Sequence, residues 1–504
     1  MTPRRPAALR TAVLAFLLLL AGLPAGRPLA GQARPAASAP GGGAYDDELA
    51  ARISAAIDRR PLDRAHWGII VQDPATGAVL YERNADRLFI PASNLKLVVA
   101  AAAATLLPAD FRLRTSVYAT GPVRDGVVHG DLVLYGRGDP GISGRYHEGR
   151  MTAVLEALGD SLRAAGVREV RGGLVADESW FDTVHVHGDW ESYDLLWWYA
   201  APVGALGFND NSIDFRIQPG ELNQPARIEW EPATSFFTLV NGTRTVAAGA
   251  ERTLDFARGQ GDTIVAYGVV PVDERAWTEY FAVRDPARYA GTVFREVLES
   301  RGVRFGTPGV RVVRRPDESV ARADPVELAG HDSAPLADLL FPILNSSQNW
   351  FAEQLLKTLG RELGTGGSWE AGLEVERDFL VERVGLAEDE FRLRDASGLS
   401  AGNLITPRAL ARLLAYARPL EPVQAALPVS AAARGSLRSR MGDIAGRVRA
   451  KTGGIRNVDA LSGYVTTEDG RELVFVVIAN GSAFPGSLVR GAIDDVVRAA
   501  AAVD

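Results

Sequence analysis

Pro91-Ala92-Ser93-Asn94-Leu95-Lys96, running without a break into Leu97-Val98-Val99-Ala100-Ala101-Ala102-Ala103-Ala104, decides how the rest of the chain is read. The pattern is S-x-x-K at the mouth of an apolar, alanine-rich helix. Pro91 fixes the entry and Ser93 suits a helix N-terminus, which puts both residues on the first turn. Side chains three apart on a helix share a face, so the Lys96 ammonium is expected beside the Ser93 hydroxyl. Serine becomes a nucleophile when a neighbour takes its proton, and a desolvated lysine is able to take it. A serine at a helix start with a lysine one turn on is also ordinary helix chemistry, so the pair needs support from elsewhere in the chain.

The chain has 504 residues, 47% of them hydrophobic and 23% charged, which describes a globular protein. A net charge of -7 implies no basic face and argues against nucleic acid as a partner. Only three of the 55 basic residues are lysine: Lys96, Lys357 and Lys451. Where arginine has taken every other cationic position, these three are candidates for work a guanidinium cannot do, such as accepting a proton. Arg4, Arg5 and Arg10 precede an apolar run over 11–23, and small residues near Gly31-Gln32-Ala33 offer a cleavage site. Residues 1–33 therefore read as an export signal peptide and 34–44 as a flexible leader. With no cysteine there is neither a lipobox nor a disulfide. No later stretch resembles a transmembrane helix, so the expected location is the periplasm or cell envelope.

Going outward from Ser93, residues 46–57 have helical apolar spacing, and 67–73, 74–77 and 78–82 read as strand, turn and strand. Beyond Pro108 the texture changes to short β-like runs broken by glycine, with one helix over 151–165 and a strand over 172–176. From about 210 to 275 the pattern is almost wholly alternating strands. Helices return at 336–341, 348–363 and 369–384, followed by three β-runs and a closing helix over 488–501. The expected fold class is α/β (α+β). A discontinuous catalytic domain, 45–115 plus 330–504, carries an antiparallel sheet flanked by helices, and 116–329 is a β-rich insert of two subdomains.

Two further motifs bear on Ser93. Ser347-Gln348-Asn349 is an S-x-N tripeptide opening a helix, where an N-capping run would look the same. Lys451-Thr452-Gly453-Gly454 reads as the end of one strand and the start of the next, where Gly-Gly would also suit a hairpin turn. In this order S-x-x-K, S-x-N and K-T-G resemble the signature of penicillin-binding proteins and serine β-lactamases, and two of the three lysines fall inside it.

Nearly all of the mature chain resembles one branch, the low-molecular-weight class C penicillin-binding proteins of peptidase family S13, which are D-alanyl-D-alanine carboxypeptidase/endopeptidases. The resemblance rests on Asn345 to Lys357, on Gly130-Asp131-Leu132 through Gly138-Asp139-Pro140, and on Asp177-Glu178-Ser179-Trp180-Phe181-Asp182. It extends to Ala201-Pro202-Val203 with Asn209 and Asn211, to Asp395-Ala396-Ser397-Gly398-Leu399-Ser400, and to Gly435-Ser436-Leu437-Arg438-Ser439-Arg440-Met441. It implies the penicillin-binding-protein and serine β-lactamase fold, peptidoglycan stem peptides as substrate, β-lactams as covalent inhibitors, and neither cofactor nor metal.

By that resemblance Ser93 would attack the carbonyl between two D-alanines while Lys96 removes its proton. The N–H groups of Ser93 and Gly454 would hold the oxyanion, with Gly453 in the same strand. Ser347 would relay a proton to the leaving amine, with Lys451 nearby keeping the field positive. Asn349 would bind the substrate amide and position Lys96, and Thr452 would take the terminal carboxylate. Gly454 stands where the family commonly has threonine, which removes a hydroxyl from the carboxylate grip; Gln348 stands where aspartate is frequent. The rival readings are a β-lactamase or esterase on the same scaffold, and a non-catalytic envelope binding protein.

Other signals point to structure. His185-x-His187 near Asp189 lacks a third metal ligand. Trp190, Tyr193, Trp197, Trp198 and Tyr199 read as a packing patch, and Asp395 as part of a loop shaping the cleft.

Overall fold

The computed structural model describes residues 47–323 and 325–503; the expected signal peptide and leader lie outside them. The organising sheet draws on both ends of the chain. The hairpin His66–Gln72 (β1) and Val79–Arg83 (β2) is joined by Val448–Ile455 (β3), Val458–Thr466 (β4) and Glu472–Asn480 (β5), numbered within this sheet. Their order is β2-β1-β5-β4-β3, every neighbour antiparallel. β1 and β5 pair from His66 with Asn480 to Gln72 with Val474, so the early hairpin is an extension of the late strands, as the sequence suggests.

Strand alternation assigns the two faces. Ile69, Val71, Phe475 and Val477 point to a layer made by the helices Asp47–Ile57 and Gly486–Ala501. Ile70, Val474, Val476 and Ile478 point to the other, containing Lys96–Leu106, Leu336–Asn345, Asn349–Leu363 and Pro407–Ala417. Covered on both sides, β4 and β5 are apolar nearly throughout, and they are buried along almost their whole length. The alanine run explains itself here. Residues 96–103 are all buried, and short side chains let five other helices close around this one.

Residues 114–332 build other sheets. A five-stranded one has the order Val310–Val313, Leu174–Asp177, Leu132–Tyr135, Arg114–Ala119, Glu327–Asp332. A three-stranded one places Ser212–Gln218 between Arg227–Glu231 and Trp277–Ala282. The helix Pro286–Ser300 in this region was not read from the sequence, although Asp285 accepts the Arg288 N–H at 3.2 Å and Pro286 opens the first turn. The helix expected over 369–384 is α-helical for Trp369–Asp378 and widens to a π turn over Phe379–Val384.

Candidate active site

Asn480, the last residue of β5, fastens the approach to Ser93: its side chain accepts from Ile90 N at 2.8 Å and donates to Ile90 O at 3.0 Å. The chain then turns sharply. Ala92–Leu95 is a 3-10 turn and the α-helix begins only at Lys96, so Ser93 precedes the helix and caps nothing, contrary to the N-cap expectation. Ala92 is held in the left-handed region at φ 48°, a conformation a non-glycine residue adopts at some cost in strain. The turn leaves the Ser93 hydroxyl free to meet Lys96, whose Nζ donates to Ser93 Oγ at 2.9 Å.

Lys96 is completely buried. Its Nζ also donates to Asn349 Oδ1 at 2.6 Å and to the Ser397 carbonyl at 2.6 Å. Burial strips water from the ammonium and brings its pKa down to about 7, against the pull of Glu353 and Asp395, which favour the charged form. A lysine in this state can lose its proton near neutrality and take one from Ser93.

Ser347 lies between the helices Leu336–Asn345 and Asn349–Leu363 at φ 60°. Lys451 Nζ donates to Ser347 Oγ at 2.7 Å and to the Thr452 carbonyl at 2.7 Å. Burial first, and the nearby Lys96 charge second, hold the Lys451 pKa well below its ordinary value. The site thus has two serine–lysine pairs, one at each flank of the cleft.

The K-T-G-G segment departs from its expected place. It lies inside β3, Lys451 opposite Ser462 and Gly454 opposite Asp459, and the hairpin reverses just beyond, at Arg456 and Asn457. The reason is pairing with β4, which a turn-like Gly-Gly does not reveal. β3 is the edge strand of its sheet; Val448 and Ala450 are bonded to the 428–430 segment, and beyond them the strand meets the cleft at Gly454 and Ile455. Gly453 allows the close approach: a Cβ there would stand 2.8 Å from the Pro91 carbonyl oxygen. Thr452 Oγ1 donates to Ser436 Oγ at 2.8 Å.

Ser93, Ser347, Asn349 and Gly454 line one cleft of about 580 Å³, together with Trp198 and Tyr199. Those two aromatics correct the packing-patch reading. Trp190 and Trp197 do pack, against Trp369 and against Phe256 and Phe281, but Trp198 and Tyr199 face the cleft. The Tyr199 carbonyl accepts Asn349 Nδ2 at 2.8 Å, which turns Asn349 Oδ1 toward Lys96.

Sequence reasoning also missed Glu353. It sits one helical turn after Asn349, fully buried, and accepts N–H bonds from Ser397 at 2.7 Å, Ala396 at 3.2 Å and Trp369 Nε1 at 2.8 Å. It thereby fixes the peptide whose carbonyl meets Lys96. Asp395 holds the rest of that loop through the N–H groups of Gly398 at 2.8 Å and Ser400 at 2.7 Å. The i, i+4 spacing of Asn349 and Glu353 was the available signal.

His185 and His187 serve different neighbours: His185 Nε2 lies 3.2 Å from Glu178, and His187 Nδ1 accepts the Asp189 N–H at 3.2 Å. The third lysine is structural. Lys357 Nζ donates to Asp182 Oδ1 at 2.7 Å and Val184 O at 2.6 Å, and sits 3.9 Å from the centre of the Trp369 indole. Lys357→Met is expected to lower stability by about 2 kcal/mol, the contribution of its charge-assisted bonds, while β-lactam acylation persists. Thermal unfolding and covalent labelling of one preparation check both halves.

Ser93 against a desolvated lysine, with a second serine–lysine pair and the edge strand of an antiparallel sheet at the same cleft, is the arrangement of an acyl-transferring serine enzyme of the penicillin-binding fold. The chain belongs to the D-Ala-D-Ala carboxypeptidase 3 (S13) family, whose family model matches residues 49–502. It is 37% identical over 503 residues to a D-alanyl-D-alanine carboxypeptidase of an Actinomadura species, covering 96% of this chain and 88% of that protein. It is 26% identical over 433 residues to D-alanyl-D-alanine carboxypeptidase DacB of Haemophilus influenzae, covering 82% and 85%. The crystal structure of penicillin binding protein 4 from Haemophilus influenzae shares the fold at a TM-score of 0.77 and 22% identity, over 88% of this chain and 97% of the other.

Proposed function

We propose that this protein is an exported serine D-Ala-D-Ala carboxypeptidase/endopeptidase that acts on peptidoglycan stem peptides. The observation that carries the reading is the 2.9 Å contact between Ser93 Oγ and a buried Lys96 whose pKa has fallen to about 7. Neutral Lys96 takes the Ser93 proton as Oγ adds to the carbonyl between two D-alanines. The N–H groups of Ser93 and Gly454 receive the oxyanion, a contribution of several kcal/mol when such donors are fixed in advance. The intermediate collapses to an ester on Ser93, and the Ser347–Lys451 pair delivers a proton to the departing amine. Water then hydrolyses the ester.

Thr452 receives the terminal carboxylate. The hydroxyl that Gly454 does not supply has a substitute in Ser436, already hydrogen-bonded to Thr452 Oγ1. The similarity to two D-alanyl-D-alanine carboxypeptidases supports the substrate class. Export rests on the N-terminal signal pattern, and among the described residues no helix is long and apolar enough to cross a membrane. The division into a discontinuous catalytic part and an insert is supported by strand pairing, because the strands of the insert pair with one another over residues 114–332.

Labelling with a fluorescent penicillin tests the proposal. The expected result is a stable covalent adduct that Ser93→Ala loses. Destruction of the antibiotic without an adduct would mean a β-lactamase. Intact antibiotic with no adduct would mean a binding protein.

A further inference from the structure

The insert holds the helix that carries Asn349 through more than the Tyr199 carbonyl. Besides Tyr199, Pro202 O accepts Trp350 Nε1 at 3.1 Å, Gly204 O accepts Gln354 Nε2 at 2.9 Å, and the Asp210 carboxylate accepts Gln348 Nε2 at 2.6 Å. These bonds join the insert to the helix that carries Asn349. Across this seam opens a second pocket of about 350 Å³, within the range of small-ligand sites. Ser346 and Gln348, the residues on either side of Ser347, form part of its wall, and Trp198 is common to the pocket and the cleft.

The charges in this pocket narrow its ligand. The Arg145 guanidinium is committed to Asp210 in an ion pair and lies over the Phe351 ring, so it is not a free cation for a phosphate or carboxylate. What remains is directional and largely neutral. Asn209 and Ser143 line the pocket, and Asp214, lifted to about 6 by burial, accepts Asn209 Nδ2 through one oxygen at 3.1 Å. Gln348 is almost fully buried, and its Oε1 has no partner. Trp198 and Tyr280 add aromatic surface. Aromatic faces beside hydroxyl, amide and carboxyl groups suit a ligand with an apolar C–H face and a rim of hydroxyls. Such a ligand is a sugar ring. The pocket floor is also strained: Asn209, Asp210 and Asn211 are all left-handed, at φ 48°, 52° and 51°, a feature that clusters at functional sites.

We propose that this pocket binds a sugar of the glycan strand while the adjoining cleft holds the stem peptide, so that the protein reads peptide and glycan together. The inference rests on the stem-peptide reading above. It gives a use to Asn209, which lines the pocket and which no chemical step needs, and to Asn211, whose Nδ2 donates to the Pro202 carbonyl at 2.8 Å behind it.

The test compares a stem pentapeptide carrying its disaccharide with the free pentapeptide, using the full mature chain, Tyr280→Ala and Asp214→Asn. Neither substituted residue lines the cleft. The expected result is a kcat/KM about tenfold higher for the glycan-linked substrate, falling toward parity in the variants through loss on that substrate alone. Penicillin labelling of Ser93 at an unchanged rate shows that the variants are folded; its absence in the unaltered protein would sink the peptidase reading instead. Saturation-transfer NMR with the free disaccharide separates the sources: binding that the variants lose means that the pocket also takes glycan from a neighbouring strand, and a preference without such binding means the sugar of the same strand. Equal kcat/KM for both substrates with no saturation transfer, or a preference that survives both substitutions, would overturn the proposal.

Discussion

Lys96→Met is expected to slow acylation of Ser93 by about a thousandfold, the usual contribution of a positioned general base, while leaving the protein folded. Methionine is close to isosteric with lysine and has no amine to accept the Ser93 proton. It leaves Asn349 Oδ1 and the Ser397 carbonyl without their donor, so a lower Tm, from about 1–3 kcal/mol of lost stability, is expected alongside the lost rate. Stopped-flow acylation by a chromogenic β-lactam measures the first quantity and calorimetry the second. A variant that acylates at the original rate would remove Lys96 from the chemistry.

The same residue sets the pH dependence. Below about pH 7 Lys96 is protonated and cannot accept the Ser93 proton; above it the amine is neutral and the rate is at its plateau. The acylation rate should therefore climb through the neutral region and level off on the alkaline side. The charged groups facing Lys96 are Glu353 and Asp395, which hold its proton on, while the neighbouring Lys451 opposes a second positive charge. Glu353 is itself lifted to about 7 by burial and by Asp395, so it becomes an anion over the same range; Glu353→Gln removes that charge, and the midpoint is expected to move to lower pH. A purely structural role for Glu353 would lower the plateau and leave the midpoint where it is.

Gly398→Ala is expected to cost about 2 kcal/mol or more in stability and to reduce acylation by about a hundredfold. Gly398 has φ 77°, and a Cβ there would stand 1.9 Å from the Ala92 carbonyl oxygen and 2.4 Å from its carbon. No side chain can yield, because the clash is with the backbone that carries Ser93. Either the 395–400 loop withdraws, taking the Ser397 carbonyl from Lys96, or the Ser93 turn moves. Gly366→Ala provides the control, since its Cβ would meet nothing within 4 Å and the change should be nearly silent. Equal behaviour of the two variants would show that the contact does not position the nucleophile.

The parts of this protein legible in its sequence are those set by short-range periodicity. The short, nearly continuous apolar runs over 458–466 and 472–480 mark strands because a strand covered on both faces needs apolar side chains in both directions. The three-residue step from Ser93 to Lys96 brings their side chains together through one turn of backbone, even though that turn proved to be 3-10. Lys451 illustrates the limit. Its residue type stood out in a chain with so few lysines, but its segment looked like a turn, and only pairing with β4 made it a strand.

The sequence by itself singled out Ser93, Lys96, Ser347 and Lys451, which the structure brings together as two serine–lysine pairs, and it marked the sheet with its flanking helices. Tertiary structure decided the lowered pKa of Lys96, because burial removes its water and its partners come from residues 253 and 301 positions away. It also decided that Glu353 and the Tyr199 carbonyl belong to the site, and that a second pocket lies against Ser347. These depend on distances between groups far apart in the chain. Local propensity encodes the conformation of each segment, whereas desolvation and through-space contact exist only once the segments are packed together.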